Sequence, residues 1–308
     1  MQQKLEEIFA TAGCVGTLCV QDAEGRLEVG IDPERPVVAA SVIKVLIAVE
    51  VERQIADGRL DPTERLRLSA QTRTPGPVGF SLYSDDVEVS LRDLLVPLLT
   101  ISDNVATDAL LARVGITACN ATATALGLRE TVIECDLRTT IDSIGQAAGF
   151  AGWDALVAWG AEAHAGADEE VVQERTLSAP AMQARTANRT TPRDMCRLLR
   201  LIWTDQAAPA EGCRRIRGLM ARQLTRNRLA AGFPSSARVS AKSGGLLGVY
   251  RHEVGVIAYP SGRWYTAAVF TQATDTRYKG EAAINTAIGQ AAARAIELLD
   301  SASTKSLG

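Results

Sequence analysis

At 308 residues, with 46% apolar and 22% charged residues, the chain has the make-up of a globular protein with a large core, in one large domain or two closely packed ones. Its formal net charge of −3 gives no basic field for nucleic acid or an anionic membrane, so neither is an expected partner. There is no uninterrupted apolar stretch of the ~18 residues a membrane span needs. The N-terminus, Met1-Gln-Gln-Lys-Leu-Glu-Glu-Ile, lacks the apolar run of a secretory signal. That leaves a cytoplasmic protein, or a periplasmic or secreted one whose signal has been removed.

In chain order, residues 2–12 carry a helical pattern, Val15-Gly-Thr-Leu-Cys-Val20 reads as a strand, Ala23-Glu-Gly-Arg26 as a turn, and 27–31 as a second strand. The apolar spacing then turns mostly helical, over 41–58, 90–99, 104–114, 118–126, 191–203 and 213–223. Thr191-Pro192 supplies an N-cap followed by proline at the first helical position. Strands return at 237–243, 250–259 and 264–271, with Tyr259-Pro-Ser-Gly262 as the turn between the last two. A helix over 280–299 closes the pattern. Strands at both ends with helices between them imply a discontinuous α/β domain (1–38 and 232–308) holding an inserted all-α domain (39–231). The six cysteines, Cys14, Cys19, Cys119, Cys135, Cys196 and Cys213, show no CxxC pair or metal-ligand spacing and read as free buried thiols.

Three short motifs stand in order: Ser41-Val-Ile-Lys44, Ser102-Asp-Asn104 and Lys242-Ser-Gly244. On a helix, S-x-x-K puts a hydroxyl and an amine one turn apart on the same face. A serine hydroxyl needs a neighbouring base to become a nucleophile, and a lysine can be that base once burial or nearby cations lower its pKa. Of the 33 lysines and arginines only five are lysines (Lys4, Lys44, Lys242, Lys279 and Lys305), and two of these five fall in the motifs that call for an amine. Only two histidines exist and no G-x-S-x-G elbow accompanies a serine, so a Ser-His-Asp triad has little to build on. His164 reads as a solvated surface residue. His252, next to Arg251, is a candidate for the rim of the site that the pattern does not require. Each motif alone has a bland reading: S-x-x-K is common, S-D-N is most often a helix N-cap, and K-S-G is a strand end with a turn. Three in order carry the signal.

With these motifs the sequence resembles the class A serine β-lactamases and the penicillin-binding serine hydrolases related to them. The resemblance spans nearly the whole chain and includes Val89-Ser-Leu-Arg-Asp-Leu-Leu, Thr100-Ile-Ser-Asp-Asn-Val-Ala-Thr-Asp and Arg189-Thr-Thr-Pro-Arg-Asp-Met195. It implies a β-lactamase-like fold, α/β plus all-α, with an antiparallel sheet flanked by N- and C-terminal helices and an inserted helical domain. It also implies roles. Ser41 would attack the carbonyl, Lys44 would help to deprotonate it, and Ser102 would pass a proton to the leaving nitrogen. Asn104 would hold Lys44 and the substrate amide, and Lys242 and Ser243 would receive a substrate carboxylate. The backbone N–H groups of Ser41 and Gly245 would form the oxyanion hole, and Arg251 would bind the carboxylate. No metal and no organic cofactor is implied; the expected partner is a small-molecule substrate carrying a carboxylate.

Two departures from the family pattern stand out. The hydrolytic glutamate of class A enzymes lies in an E-x-x-L-N loop before the T-T-P helix, and the best match here is Glu174-Arg-Thr-Leu177-Ser178, with serine in place of the asparagine. Glu174 is therefore both the candidate water-activating base and one of several acidic residues in 168–174 that read as a solvated helix face. The chain also carries extra length near 136–172, with helical patterns at 144–153 and 155–165. Their apolar residues (Phe150, Trp153, Leu156, Val157 and Trp159) need burial, against the body of the protein or against a second subunit in a homodimer. That insertion is either a lid or specificity element or a peripheral packing element. The leading expectation is β-lactam hydrolysis through an acyl-enzyme on Ser41. A β-lactamase-fold esterase, amidase or acyltransferase of specialised metabolism, and a slowly deacylating β-lactam-binding sensor, are the alternatives.

Overall fold

The computed structural model describes residues 2–162, 166–275 and 280–305. The chain opens with α1 (Gln2–Thr11), whose buried Leu5 and Phe9 lie four residues apart on one helix face, and enters β1 (Cys14–Asp22) and β2 (Glu28–Ile31). A short strand, β3 (Val37–Val38), leads into one turn of 3₁₀ helix over Ala40–Ile43 that runs directly into α2 (Lys44–Ala56). A small hairpin of β4 (Arg65–Leu68) and β5 (Val87–Ser90) precedes α3 (Leu91–Thr100), α4 (Asn104–Val114) and α5 (Ile116–Ala125). The extra segment forms α6 (Leu137–Ala147), α7 (Trp153–Gly160) and α8 (Gly166–Ser178). A two-residue strand, β6 (Arg189–Thr190), pairs with β3 and leads to α9 (Pro192–Trp203) and α10 (Ala210–Met220). The chain ends in β7 (Arg238–Leu246), β8 (Tyr250–Ala258), β9 (Trp264–Ala273) and α11 (Glu281–Lys305).

Five strands make one antiparallel sheet in the order β2-β1-β9-β8-β7. The first long strand thus pairs with the last, and the helices between them are an excursion from the sheet. Both faces of the sheet are covered, so its central strands are buried almost throughout. Alternate residues go to opposite cores: Ala268 and Phe270 of β9 face the helices α2, α3, α4, α9 and α10, while Ala267 and Val269 face α1 and α11. On α11 the buried residues include Ala287, Ala291, Ala292 and Ala295, small side chains that let the helix lie close on the sheet.

The expected β-lactamase-like fold is the one found. Differences lie at element ends and in the insertion. The helix expected over 41–58 begins with a 3₁₀ turn, and the short pairs β3–β6 and β4–β5 carry too few residues for a period-2 signal. In the insertion, α6 starts at Leu137 because Asp136 caps it, its side chain accepting from the Thr139 N–H. Residues 148–152 break the run that read as helix over 144–153. Trp153 and Leu156 are half-buried against a small separate core of Ile144, Ala179, Ala181, Met182 and Val249, whereas Val157 is 51% exposed. Residue 164 falls outside the described residues, so its expected place at the surface is not addressed. All six cysteines are free thiols; five are buried and Cys135 is half-buried. No helix among the described residues is long and apolar enough to cross a membrane.

Candidate active site

Helix α2 is the buried axis of the helical core, with every residue from Lys44 to Glu52 buried. Its N-terminal 3₁₀ turn places Ser41 at the surface of a pocket and Lys44 beneath it. Ala40, immediately before Ser41, has φ 45°, a left-handed conformation that non-glycine residues hold only under constraint from their surroundings. The Lys44 amine is fully buried. It donates to the Ser102 carbonyl (2.7 Å), Asn104 Oδ1 (2.8 Å) and Ser102 Oγ (3.2 Å). Burial lowers the Lys44 pKa to about 7, against the opposing pull of the carboxylates of Asp103 and Asp108.

The loop that carries Ser102 is held just as tightly. Ser102 sits at φ 66°, and the buried Asp103 caps α4 by accepting from the Ala106 N–H at 2.9 Å and also takes the Phe80 N–H at 2.6 Å. The capping role expected of this motif thus falls to its central aspartate. That frees the Asn104 amide for the site, where Oδ1 receives Lys44 and Nδ2 donates to the Pro75 carbonyl at 2.8 Å.

The third motif lies on β7, the edge strand that runs alongside the 3₁₀ turn. A Cβ on Gly244 would stand 3.1 Å from Val42 Cγ1 and 3.3 Å from the Ser41 nitrogen, so a side chain here would press on the turn that carries Ser41. The approach brings Gly245 and Ser41 to one pocket. Lys242 is fully buried and donates to the Ser243 carbonyl at 2.7 Å. Its pKa is pushed well down, first by burial and then by Lys44 beside it. Two amines share one buried region, where a charge on Lys44 opposes one on Lys242. The Ser243 hydroxyl is 3.4 Å from Thr225 Oγ1.

A buried polar network that the motifs did not announce supports β7 from behind. Gln223 accepts the Ser243 N–H and donates to Glu253 Oε1 at 2.8 Å. Arg228 donates to the carbonyls of Gly244 and His252, both at 2.7 Å, and to Asn285 Oδ1 at 2.9 Å. Glu253, wholly buried, has its pKa raised by burial. These residues come from four separate segments, and no local spacing could have gathered them.

Two expected site residues stand elsewhere. Arg251 of β8 is buried and ion-paired with Glu281 of α11, on the side of the sheet facing that helix. The guanidinium that reaches the end of β7 is instead Arg228. Glu174 is exposed on α8, and Ser178 at the end of that helix gives its hydroxyl to the Arg175 carbonyl at 2.8 Å. Neither lines the Ser41 pocket, a space of about 70 Å³. Its walls include Leu137, Thr140 and Ile141 of α6, Ala181, Ala187 and Asn188 of the segment after α8, and Leu246; no carboxylate lines it among the described residues. The insertion therefore does contribute a wall of the pocket, among the described residues through α6. Asp108 fixes that wall by accepting the N–H groups of Leu137 (2.8 Å) and Arg138 (2.9 Å) at the start of α6. His252 is buried and faces a separate cavity, away from the rim of the Ser41 pocket.

Residues 1–298 match the model of the β-lactamase enzyme family. The chain belongs to this family. A curated relative, the β-lactamase regulatory protein BlaB of Streptomyces cacaoi, is 30% identical over 283 residues, covering 88% of each chain. The fold is shared with a β-lactamase from Sphaerobacter thermophilus (TM-score 0.73, 23% identity, 97% of this chain and 98% of that one). It is shared equally with PBP-A (TM-score 0.72, 20% identity, 96% of each chain). A variant of PBP-A has been solved as an acyl-enzyme complex with penicillin G. Family and fold support a serine β-lactamase-like function.

Proposed function

We propose that this protein reacts with β-lactams through Ser41 and releases the acyl group slowly, acting as a β-lactam receptor more than as a fast hydrolase. One observation carries the second half of this reading: among the described residues, the pocket in front of Ser41, walled in part by α6 and the loop after α8, has no carboxylate. The 30% identical relative being a β-lactamase regulatory protein supports the same reading.

In this reading, acylation uses the two lysines and two serines. Neutral Lys44, with its pKa near 7, takes the proton of Ser41 Oγ as that oxygen bonds to the lactam carbonyl carbon. The carbonyl oxygen becomes an oxyanion between the N–H groups of Ser41 and Gly245. The C–N bond then breaks and the nitrogen takes a proton from Ser102 Oγ, which Lys44, 3.2 Å away, replaces. Lys44 is neutral again and the acyl group is an ester on Ser41. A substrate carboxylate meeting Ser243 near the buried Lys242 supplies the anion that lets this amine hold its proton.

Hydrolysis of the ester needs a water activated on the α6 side of the pocket, where Leu137, Ile141 and Ala181 offer it no base. A missing general base costs about 10²–10⁴-fold in rate. Intact-mass spectrometry after mixing with benzylpenicillin, alongside absorbance with a chromogenic cephalosporin, tests the reading. The expected result is a stoichiometric adduct that persists after excess drug is removed, absent in Ser41→Ala. Steady turnover of the cephalosporin without accumulating adduct would show instead a working β-lactamase with its base supplied from elsewhere.

A further inference from the structure

Most of the lining of the Ser41 pocket is hydrocarbon. Val38, Leu137, Ile141, Ala181, Ala187 and Leu246 supply it, and among the described residues no charged side chain lines the pocket. Leu137, Thr140 and Ile141 stand at positions i, i+3 and i+4 of α6, so a single face of that helix forms the wall. Arg138 and Asp142, the charged residues of the same turn, pair with each other and do not line it.

The polar side chains of the lining are committed within the protein. Asn188 Oδ1 accepts the N–H groups of Glu134 (2.8 Å) and Cys135 (3.2 Å), and its Nδ2 donates to the Cys135 carbonyl at 3.0 Å. The Thr140 hydroxyl gives its proton to the Asp136 carbonyl at 2.7 Å. Asn104 holds Lys44 and the Pro75 carbonyl, which leaves its amide one N–H for an acceptor beside the reacting bond. A charged group set against α6 would therefore lose its water and gain no partner.

A penicillin carries its carboxylate on the nitrogen side of the lactam and its acylamino chain on the carbon next to the carbonyl. Ser243, the expected partner of the carboxylate, does not line this pocket, whereas Ser41 and Gly245 do. With the carboxylate at Ser243 and the carbonyl oxygen between the N–H groups of Ser41 and Gly245, the acyl chain at the other end of the lactam lies against α6. We propose that Leu137 and Ile141 make this site selective for β-lactams whose acyl side chain is uncharged and apolar, against those whose side chain is ionised. The selectivity rests on the reading of Ser41 as the residue that β-lactams acylate.

Benzylpenicillin and carbenicillin differ only by a carboxylate on the side-chain carbon next to the amide, and penicillin N carries both charges on an aminoadipyl chain. The rate of adduct formation on the full chain, followed by intact mass, compares the three. Benzylpenicillin is expected to label Ser41 at least about tenfold faster than either of the others, the low end of what apolar pockets discriminate. Ile141→Lys should shift the ratio of carbenicillin to benzylpenicillin upward by about tenfold, a change that a merely structural role would not produce because it would slow both alike. Ile141→Thr, a milder change for use if the lysine variant does not melt cooperatively, should narrow the wild-type preference severalfold. Adducts forming at equal rates in the wild type overturn this proposal and leave the acylation reading standing. A ratio unchanged in the folded Ile141 variants overturns it as well. No adduct with any of the three overturns the acylation reading and this proposal with it.

Discussion

A fully buried lysine whose pKa has fallen to about 7 sets the pH dependence of the site. The charged groups acting on it are Asp103 and Asp108, whose carboxylates raise its pKa, and burial outweighs them; the Lys44 charge in turn lowers the pKa of Lys242. Acylation of Ser41 is therefore expected to quicken with pH through about 7 and level off above it. Stopped-flow measurement of adduct formation across pH 5–9, a window around that value, checks this; a flat profile would remove Lys44 as the base. Folding feels the same shift. Unfolded, the lysine keeps its proton up to about 10.5, while the folded one loses it near 7. Between those values the unfolded state binds the extra proton, so stability should rise as pH climbs through the window. Lys44→Met should abolish acylation, flatten that rise and stabilise the fold by about 1–2 kcal/mol, as loss of a poorly solvated amine predicts. Gly244→Ala presses a methyl against the Ser41 nitrogen and Val42, displacing one side of the oxyanion hole from the other. Acylation should slow by about 10²-fold or more, the cost of losing one donor, with only a small change in melting temperature.

At the scale of elements, α6 is the part of the insertion that bears on the site, and two kinds of contact hold it. Arg138 pairs with Asp142 one turn along the same helix (2.7 Å) and ties α6 to Asp154 of α7 (3.0 Å), in exposed or half-exposed ion pairs. Such pairs contribute about 0–1 kcal/mol. Asp108, largely buried, accepts two N–H groups of α6 and the Thr74 hydroxyl at 2.6 Å. Leaving those part-buried donors unmet costs up to about 1–3 kcal/mol. Asp108→Ala is thus expected to destabilise clearly and alter acylation rates among β-lactams of different side chain, while Arg138→Ala does neither. Urea titrations and a small drug panel separate the two; equal effects would mean that α7 and not the Asp108 cap positions the wall. The same contrast explains what could be read from sequence. Ser41, Lys44, Ser102, Asn104 and Lys242 were legible because each motif is contiguous and its residues act through one turn of helix or one strand end. The sheet was legible because its covered faces leave long β-branched runs. Arg228, Gln223 and Glu253 meet only after β7 folds back on the loop following α10, so no local spacing marked them. Glu174 was the opposite case: an acidic residue at about the right distance before Thr191-Pro192, carried to solvent by a helix whose other acidic residues gave the same signal.

For the whole molecule, the question is whether a chain of 308 residues with two cores unfolds in one step. Size alone argues against it, since two-state unfolding is usual only below about 150 residues. Sheet topology argues for it. Each central strand feeds both cores: β8 gives Val254 and Val256 to the helical core and Ile257 to the core under α11, and β9 divides its residues the same way. Removing the helices would leave one face of the sheet bare, and removing α1 and α11 would strip the other. With β1 and β9 joined along nine residue pairs, neither core has a complete sheet of its own. A single transition is therefore expected, with far-ultraviolet ellipticity and tryptophan fluorescence coinciding; Trp203 and Trp264, both packed on the helical core, carry part of the latter signal. Leu46→Ala, a fully buried change in α2, should cost about 2–5 kcal/mol and move both probes together. Ala292→Leu, overpacking the opposite core, should shift the same transition by about 1–3 kcal/mol. If Leu46→Ala moved fluorescence alone and left a second, unshifted ellipticity transition, the sheet with α1 and α11 would be a unit stable without the helical core.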